Sequence, residues 1–471
     1  MKNNSDHTTS NLVQAKQKQL VQKIGQRILS EANDLKRTFQ SICDELKLDI
    51  QMFEKIVSGD SSYDDAVELA KILASNYPVK LNDLLLDIPD HDQGIKIMRY
   101  EESVASKRVF SRSDKVGNKT PYYEYRDTAT AKLSPFKPEW IEELRIVENA
   151  DPNNADVAYN NGHFLHQMTA FIGPVNFYWE VDGTKYCKEM DSGSSNYITP
   201  FIKHSFTSRD SSQPAIIIAV TFSSDAGRAR DEFYSLGSER IQSYVLDNRN
   251  VNKGVSQLIK QVLDDKCLTQ ENLSSLAIRN KVDLDCGNLL DIDASKDEAD
   301  LKKLATLLNV KPEIFDLPHH SPGNEVEVKD HAASESYIFN SNAERPDYII
   351  NALAGNNRMP LMNGFNFQIV SGNQADSSTL KTSLHSYIFN HSNTPITLEW
   401  IYDGMDYSDQ INPNDSVYLE PQLEHKFWKE SEEDAFLYIF RVGGEINLSV
   451  QKEISSFANS DRIIETISWF N

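Results

Sequence analysis

The sequence predicts an α+β protein in which a helical module followed by a β-barrel module occurs twice in tandem. Three observations predict this class: similar stretches recur at a fixed distance, short β-prone runs cluster in two regions, and helical apolar spacing precedes each region. With 471 residues, the chain is also long enough for several domains. We therefore expect the order helical, barrel, helical, barrel.

An internal repeat is the strongest of these signals. YITPFIKHSF (197–206) and YLEPQLEHKF (418–427) share Tyr, Pro, His and Phe in register, at an offset of 221 residues (425 − 204). The same offset pairs Trp179 with Trp400, and an Asp-Gly dipeptide at 182–183 with another at 403–404. A register held over this distance indicates two copies of one β-rich module.

Both copies have the pattern of a β-barrel. Their β-branched and aromatic runs are short and are separated by Gly, Pro, Asp and Asn. NFYWEVDG (176–183) and TLEWIYDG (397–404) each predict a strand that ends in an Asp-Gly hairpin turn. Many short strands at this spacing favour a closed barrel or a double-sheet jelly roll.

Each barrel region follows a region of helical apolar spacing. Within 12–48 the apolar residues at helical intervals are Leu20, Ile24, Ile28, Leu35, Phe39, Ile42 and Leu46. The runs at 64–85 and 299–317 repeat the pattern, and each resembles a helix-turn-helix of the repressor type. The predicted boundaries are 1–90 and 236–325 for the helical modules, and 91–235 and 326–471 for the barrels.

Charge argues against nucleic acid as a partner. The formal net charge is −22, and a surface this acidic repels phosphate backbones. The segments placed to read a DNA groove are 47–60 and 283–300, and the second is rich in acids and nearly free of cations. We expect the helices to shape a site instead, and a transcriptional regulator is the disfavoured alternative.

The sequence predicts a cytoplasmic protein. No apolar run approaches the length that spans a membrane, and the first thirty residues lack a secretion signal. The four cysteines, at 43, 187, 267 and 286, form no Cys-x-x-Cys pair, which argues for free thiols and against a zinc–thiolate site. We expect no membrane partner and a homo-oligomeric assembly.

Candidate metal ligands occur in YNNGHFLHQMTAF (159–171). On a strand, His163 and Gln167 would face the barrel interior together, and His166 would face outward. His204 lies on a strand that returns beside the first. Two histidines with a third inward donor suit the facial site of a non-heme Fe(II) protein. The alternative is that His163 and His204 are hydrogen-bonded core histidines.

The second barrel lacks most of this set. The offset sends His204 to His425 but sends His163 and Gln167 to Leu384 and Ile388. Two further histidines lie nearby but out of register, His385 and His391. We expect the second barrel to be a metal-free structural copy.

The stretch NNGH, a later P-x-x-x-H and the doubled architecture resemble the phosphonate-processing iron oxygenases, which are tandem helix-turn-helix/cupin proteins that act on 2-hydroxyethylphosphonate. The resemblance covers nearly the whole chain. It implies cupin barrels, Fe(II) as cofactor, a phosphonate and O2 as substrates, and no external reductant. One branch of the family is a dioxygenase that forms hydroxymethylphosphonate and formate. The other branch forms methylphosphonate and CO2 or bicarbonate.

The third ligand distinguishes the two branches. The dioxygenase branch takes a Glu six residues before the second His, a position held here by Ile198. The methylphosphonate-forming branch takes a Gln four residues after the first His, which is Gln167 here. The resemblance therefore implies His163, Gln167 and His204 as ligands and methylphosphonate as product. The dioxygenase activity is the first alternative, and a binding protein with two metal-free barrels is another.

The resemblance also implies four substrate-binding residues. Asn160, three residues before the first His, would donate to the phosphonate, and Tyr125 in YYEYRDTA (122–129) would contact it. Arg112 is the expected cation upstream, and Lys36 the expected cation of the first helical module. The alternatives for these two cations are Arg108 or Lys119, and Arg37.

Overall fold

The computed structural model describes residues 4–85, 89–287, 297–317, 323–339, 346–372 and 377–457, with side chains from residue 18 onward. The chain contains both helices and strands in quantity, which confirms the α+β class. The described residues fall into two compact units. One lies within 1–92, 131–133 and 444–471, and the other within 93–130 and 134–443.

The first unit is helical. Its helices are α1 (Asn4–Asp34), α2 (Phe39–Leu46), α3 (Ile50–Ser58), α4 (Tyr63–Asn76), α5 (Leu81–Leu84) and α12 (Leu448–Ile454). Ile24 and Ile28 of α1 are buried in one core with Phe53 and Ile56 of α3 and Leu69 of α4. This core confirms the helical spacing that the sequence predicts for the region.

Local signals set the ends of these helices. Thr38 accepts from the Ser41 N–H at 3.1 Å and caps α2, and Ser62 accepts from the Asp65 N–H at 3.1 Å and caps α4. Helix α3 ends at Gly59, whose φ of 80° suits glycine. Residues 47–49 alone separate α2 from α3, a short connection of the kind found in a helix-turn-helix.

The second unit contains both β modules. The strands up to residue 222 are β1 (Ile95–Met98), β2 (Arg108–Ser113), β3 (Lys119–Arg126), β4 (Phe136–Glu143), β5 (His166–Ile172), β6 (Val175–Val181), β7 (Thr184–Met190), β8 (Ser195–Ile198), β9 (Lys203–Ser208) and β10 (Ile216–Phe222). The later strands are β11 (Val326–Lys329), β12 (Ser336–Phe339), β13 (Tyr348–Ala352), β14 (Met362–Ile369), β15 (His385–Asn390), β16 (Ile396–Tyr402), β17 (Met405–Ile411), β18 (Ser416–Leu419), β19 (Glu424–Trp428) and β20 (Ala435–Val442).

Each β module consists of two antiparallel sheets around one apolar core. The first has sheets of order β11-β8-β5-β10-β4-β3-β2 and β7-β6-β9, and the second has β1-β18-β15-β20-β14-β13-β12 and β17-β16-β19. In the first module, Phe171 of one sheet shares a core with Phe177 and Phe206 of the other. This arrangement agrees with the predicted double-sheet module.

The two Asp-Gly hairpins form as the sequence predicts. At 182–183 the φ angles are 49° and 80°, and at 403–404 they are 50° and 75°. Positive φ at both central residues gives the turn twist that matches two paired strands. These turns join β6 to β7 and β16 to β17 at equivalent places of the repeat.

One strand of each large sheet comes from the segment that precedes the other module. Strand β1 pairs with β18, and strand β11 pairs with β8. After β1, Arg99 forms ion pairs with Asp409 at 2.7 Å and with Asp415 at 2.9 Å. The predicted boundaries at 91 and 326 therefore assign β1 and β11 to modules whose sheets they do not complete.

A second helical segment joins the two modules. Its helices are α7 (Asp225–Arg228), α8 (Arg230–Ile241), α9 (Val251–Asp265), α10 (Gln270–Asn280) and α11 (Glu298–Leu308). Helix α6 (Tyr100–Ala105) lies outside this segment, between β1 and β2. Ile259, Leu273 and Leu304 belong to one core formed by α9, α10 and α11. Much of the acidic segment expected at 283–300 lies outside the described residues.

Candidate metal centre

The three predicted ligand side chains meet in the first β module. His163 precedes β5, Gln167 is the second residue of β5, and His204 is the second residue of β9. The Nε2 atom of His163 lies 3.3 Å from Oε1 of Gln167. The ring centroids of His163 and His204 are 5.3 Å apart, with the ring planes at 85°.

A loop, and not a strand, positions His163, which corrects the predicted location. Strand β5 begins only at His166. Gly162 turns the chain with a φ of 71°, and a Cβ there would lie 2.6 Å from the carbonyl carbon of Phe201. The Phe201 N–H donates to the His163 carbonyl at 2.8 Å. This loop brings the imidazole to Gln167 without the strand alternation that the sequence suggested.

His166 points away from these three side chains, as predicted. Its Nδ1 atom forms a 2.8 Å hydrogen bond with the Tyr197 hydroxyl, and its ring stacks on Phe222 at 5.5 Å. Burial lowers the pKa of His166 to about 4. It is therefore a neutral, half-buried histidine on the other face of β5.

Both candidate histidines present Nε2 as an acceptor. The Nδ1–H of His163 donates to the Leu165 carbonyl at 3.0 Å, and that of His204 donates to the Ile202 carbonyl at 2.8 Å. A proton fixed on Nδ1 leaves the lone pair on Nε2, which is the arrangement of most metal-bound histidines. Burial lowers the pKa of His204 to about 4, so this ring is neutral at physiological pH.

Thr169 orients the Gln167 amide. The Nε2 group of Gln167 donates to Thr169 Oγ1 at 2.9 Å, which turns Oε1 toward His163. Oε1 and the His163 Nε2 atom are then both acceptors, and a separation of 3.3 Å favours a cation between them. Two imidazole nitrogens and an amide oxygen therefore fit a divalent metal ion such as iron.

Among the residues that the structure describes, no conventional set of metal ligands competes with this one. No group of three His, Cys, Asp or Glu side chains suited to a metal occurs in the part of the chain that the structure describes. Ile198 stands directly opposite Gln167 on β8, and its side chain is buried in the apolar core. Gln167 is therefore the polar partner available to the two histidines at this strand pair.

Asn160 contacts the ring nitrogen of His204 that would bind a metal ion. Its Nδ2 group donates to His204 Nε2 at 3.0 Å, while its Oδ1 accepts from the N–H groups of His204 and Gly162. A metal ion bound at His204 Nε2 would displace the Nδ2 contact. The amide of Asn160 would then be free to donate to a group bound at the metal.

A cavity of about 260 Å³ opens over these side chains. Arg112 of β2, Tyr125 of β3 and Asn160 line it together with the three candidate ligands. Of the alternatives to Arg112, Arg108 forms an ion pair with Asp127 at 2.7 Å. The structure thus brings together three of the four predicted substrate-binding residues.

Two charged residues of the cavity were not predicted from the sequence. Lys137 and Glu139 lie on β4 and line the cavity beside Ile141. Burial raises the pKa of Glu139, with Arg108 and Lys137 opposing the shift. The signal was present in FKPEWIEE (136–143), where alternate residues of a strand share one face.

The sequence comparison identifies the family. The chain is 34% identical over 458 residues to the methylphosphonate synthase of Nitrosopumilus maritimus (strain SCM1), with 95% of each protein covered. This chain belongs to the methylphosphonate synthase family. No protein-family model matches the sequence.

Solved structures share the fold of this chain. One is Streptomyces albus 2-hydroxyethylphosphonate dioxygenase with 2-hydroxyethylphosphonate and Fe(II) bound, which is 28% identical with a TM-score of 0.83. The match covers 95% of this chain and 97% of that one. A variant of 2-hydroxyethylphosphonate dioxygenase, 18% identical over 93% of this chain and 99% of its own, shares the fold with a TM-score of 0.72.

Lys36, the fourth predicted substrate-binding residue, lies in the helical first unit. It occupies the turn between α1 and α2 with a φ of 57° and an exposed side chain. The alternative cation, Arg37, forms an ion pair with Glu45 at 3.0 Å and lies 5.0 Å over the Tyr77 ring. Lys36 is thus the more available of the two, and its substrate contact stays a prediction.

Strand pairing corrects the expected counterparts in the second module. Ser386 opposes Leu419 there as Gln167 opposes Ile198, so the offset along β5 and β15 is 219 (386 − 167). The counterparts of His163 and Gln167 are therefore Thr382 and Ser386, and not Leu384 and Ile388. The second copy has two extra residues between this strand and the next one, which a single offset of 221 conceals.

The second module keeps one of the three donors. His425 opposes Trp400 as His204 opposes Trp179, and its Nδ1–H donates to the Leu423 carbonyl at 2.9 Å. The other two nearby histidines hydrogen-bond elsewhere, His385 to the Tyr418 hydroxyl at 2.8 Å and His391 to Asn366 Oδ1 at 3.0 Å. A metal-free second barrel stays a prediction.

No helix among the described residues is long and apolar enough to cross a membrane.

Proposed function

We propose that this protein is a methylphosphonate synthase, which cleaves the carbon–carbon bond of 2-hydroxyethylphosphonate with O2. The products are methylphosphonate and either CO2 with water or bicarbonate. The atoms and electrons balance without a further reductant, because the departing carbon is oxidised to the level of CO2. The observation that carries the proposal is the Gln167 amide, which Thr169 orients beside two histidines that present their Nε2 lone pairs.

His163, Gln167 and His204 would hold one Fe(II). A centre with three protein ligands on one face supplies coordination positions for a substrate and for O2. Gln167 is neutral, so this centre is one unit more positive than a centre with two histidines and a carboxylate. We therefore expect weaker iron binding without substrate, and stronger retention of iron once an anionic substrate is present.

Arg112 and Lys137 would neutralise the phosphonate. Both line the cavity, where a dianion needs concentrated positive charge in a protein of net charge −22. Arg112 offers a planar pair of donors to two phosphonate oxygens, and Lys137 offers a point charge. Glu139 is compatible with this role because burial raises its pKa and favours the uncharged carboxyl.

Tyr125 and Asn160 would fix the orientation of the substrate. Burial raises the pKa of Tyr125, so its hydroxyl keeps a proton and can donate it. Asn160 supplies an amide N–H at the Nε2 atom of His204, next to the metal position. Ile141 and Phe206 form apolar parts of the same cavity and limit the entry of water.

Product identification tests the proposal. Protein loaded with Fe(II) is supplied with 2-hydroxyethylphosphonate and O2, and the phosphonates are analysed by phosphorus NMR. We expect methylphosphonate as the major product. Hydroxymethylphosphonate with free formate would contradict the proposal and support the dioxygenase alternative.

The cellular location and the oligomeric state are secondary parts of the proposal. All four cysteines are free, which supports a reducing, cytoplasmic environment. A homo-oligomer and the absence of nucleic-acid binding stay predictions. Exchange of the buffer for one with a thiol reductant should leave the activity unchanged, because no disulfide joins these cysteines.

A further inference from the structure

The second module places an arginine where the first module has a cavity residue. Thr221 opposes Gln167 in the first module and lines the cavity there. In the second module Arg441 opposes Ser386, the counterpart of Gln167. Directly opposed residues of two paired strands project to the same face. Arg441 and Ser386 therefore face the interior of the second barrel together.

Arg441 and Ser386 present hydrogen-bond donors without acceptors. The Nε and one Nη atom of Arg441 are shielded from water and have no hydrogen-bond partner. The same holds for the hydroxyl of Ser386, whose residue is 1% exposed. Three unsatisfied donors in one place are unusual, because buried polar groups are nearly always hydrogen-bonded.

The surroundings of Arg441 do not neutralise its charge. The guanidinium carbon lies 5.7 Å from the ring centre of Phe365, a contact that offsets only part of the cost of burial. Burial lowers the pKa of Arg441, and Tyr337 alone opposes that shift. Among the described residues, no carboxylate forms an ion pair with Arg441.

His425 adds a neutral group to the same interior. Burial lowers its pKa to about 4, and the charge of Arg441 contributes to that shift. Its Nδ1–H donates to the Leu423 carbonyl. The His425 imidazole is neutral and therefore does not balance the charge of Arg441. The second barrel thus has a positive interior at the place that corresponds to the proposed metal position of the first.

We propose that the second barrel binds a small oxyanion of the phosphate and phosphonate class through Arg441 and Ser386. An oxyanion accepts two hydrogen bonds from the fork of a guanidinium and a third from a hydroxyl. It would satisfy the three orphaned donors and supply the missing negative charge. A partly buried guanidinium without a charged partner is costly, which explains why the anion should bind at this place.

Calorimetric titration of metal-free protein with inorganic phosphate tests this site. The Arg112→Met variant serves as background, because it weakens phosphate binding in the first cavity by leaving Lys137 without its second cation. We expect one phosphate per chain in that background, and binding at least about tenfold weaker when Arg441→Met is added. Lys381→Met is the matched control, because it removes an exposed charge paired with Glu424 at 3.0 Å. That control should bind phosphate like the background.

Ser386→Ala keeps the charge of Arg441 and tests the site if Arg441→Met does not fold. It should weaken phosphate binding severalfold at unchanged stoichiometry. Titrations with methylphosphonate and 2-hydroxyethylphosphonate distinguish a phosphonate ligand from free phosphate. Absence of phosphate binding in the Arg112→Met background would overturn the proposal, as would equal binding after Arg441→Met or Ser386→Ala. None of these readouts depends on the proposed catalytic activity.

Discussion

A glutamine ligand must be oriented, whereas a carboxylate ligand need not be. Both oxygens of a carboxylate can bind a metal, but an amide has one oxygen and one NH2 group that cannot bind. Thr169 resolves this ambiguity because its hydroxyl accepts from Gln167 Nε2 at 2.9 Å. Thr169 is fully buried, so no water replaces it easily. We infer that Thr169 is a positioning residue for the metal centre.

Replacement of Thr169 by valine should weaken iron binding. Thr169→Val keeps the shape of the side chain but removes the acceptor for the amide, so that Gln167 can rotate. We expect about a tenfold loss of Fe(II) affinity, within the range typical for groups that orient metal ligands. Competition with a chelator of known affinity measures the change in metal-binding free energy directly.

Thr169→Ser is the control for this prediction. Serine restores the hydroxyl and should recover most of the affinity, which a purely structural defect would not do. The orienting role is wrong if Thr169→Val binds iron as tightly as the unaltered protein does.

At the residue scale, the sequence predicted which candidate side chains meet better than it predicted their local structure. Gln167 and His204 are on strands and point inward as alternation requires. His163 reaches the same place from a loop because Gly162 adopts a positive φ, which strand periodicity does not reveal. Lys137 was overlooked because an isolated lysine is usually a solvated surface charge. Alternation in FKPEWIEE puts Lys137 and Glu139 on one face, but only the folded structure shows that this face lines the cavity.

At the element scale, β1 and β11 tie the two modules together. Strand β1 precedes the first module but completes the large sheet of the second, and β11 precedes the second module but completes the large sheet of the first. A sequence pattern predicts that a strand exists, but it does not specify the partner, because the pairing is a long-range contact. The exchange therefore could not be read from the repeat.

Loss of Arg99 should destabilise the second module. Arg99 follows β1 and contacts Asp415, whose side chain is 2% exposed, while the arginine is 33% exposed. Arg99→Met leaves a buried carboxylate without its cation, and we expect the free energy of unfolding to fall by about 2 kcal/mol. Urea denaturation followed by tryptophan fluorescence measures this change.

A surface ion pair provides the comparison for Arg99. Lys381→Met breaks the exposed pair with Glu424 and should change the stability by less than about 0.5 kcal/mol. Equal stability of the Arg99→Met and Lys381→Met variants would show that the contact after β1 does not hold the exchanged strand.

The two β modules should differ in iron content. His163→Ala and His204→Ala should abolish stoichiometric iron binding, because each removes one of three ligands. His425→Ala should retain about one iron per chain, since Thr382 and Ser386 provide no imidazole or carboxylate beside it. Metal analysis of the purified variants decides this point. Half the iron lost in His425→Ala would make the second barrel a metal site.

At the scale of the whole molecule, charge and repeat structure were readable from the sequence, and details of alignment were not. The offset of 221 recovered the tandem modules and the correspondence of His204 with His425. The offset of 221 failed along β15, where the true offset is 219. The second copy has two extra residues after this strand, so the offset is 221 at the next one. The error concealed Ser386 and Arg441 as the counterparts of Gln167 and Thr221.

The acidic surface predicts that the protein does not bind duplex DNA specifically. Its net charge of −22 repels phosphates at long range, and only the local cations of a cavity can hold a phosphonate. Electrophoretic mobility at moderate salt should show no complex with operator-like fragments. A sequence-dependent shift that resists salt would revive the regulator alternative.

The central claim is that the glutamine-containing centre directs the reaction to methylphosphonate. After carbon–carbon cleavage, the phosphonate-bearing carbon takes either hydrogen or hydroxyl, and about 1.4 kcal/mol of barrier difference gives a tenfold preference. The most direct test uses 2-hydroxyethylphosphonate with deuterium on the hydroxyl-bearing carbon. We predict methylphosphonate with one deuterium in its methyl group, because that hydrogen moves from the departing carbon to the product. Hydroxymethylphosphonate with deuterated formate as the main products would contradict the account.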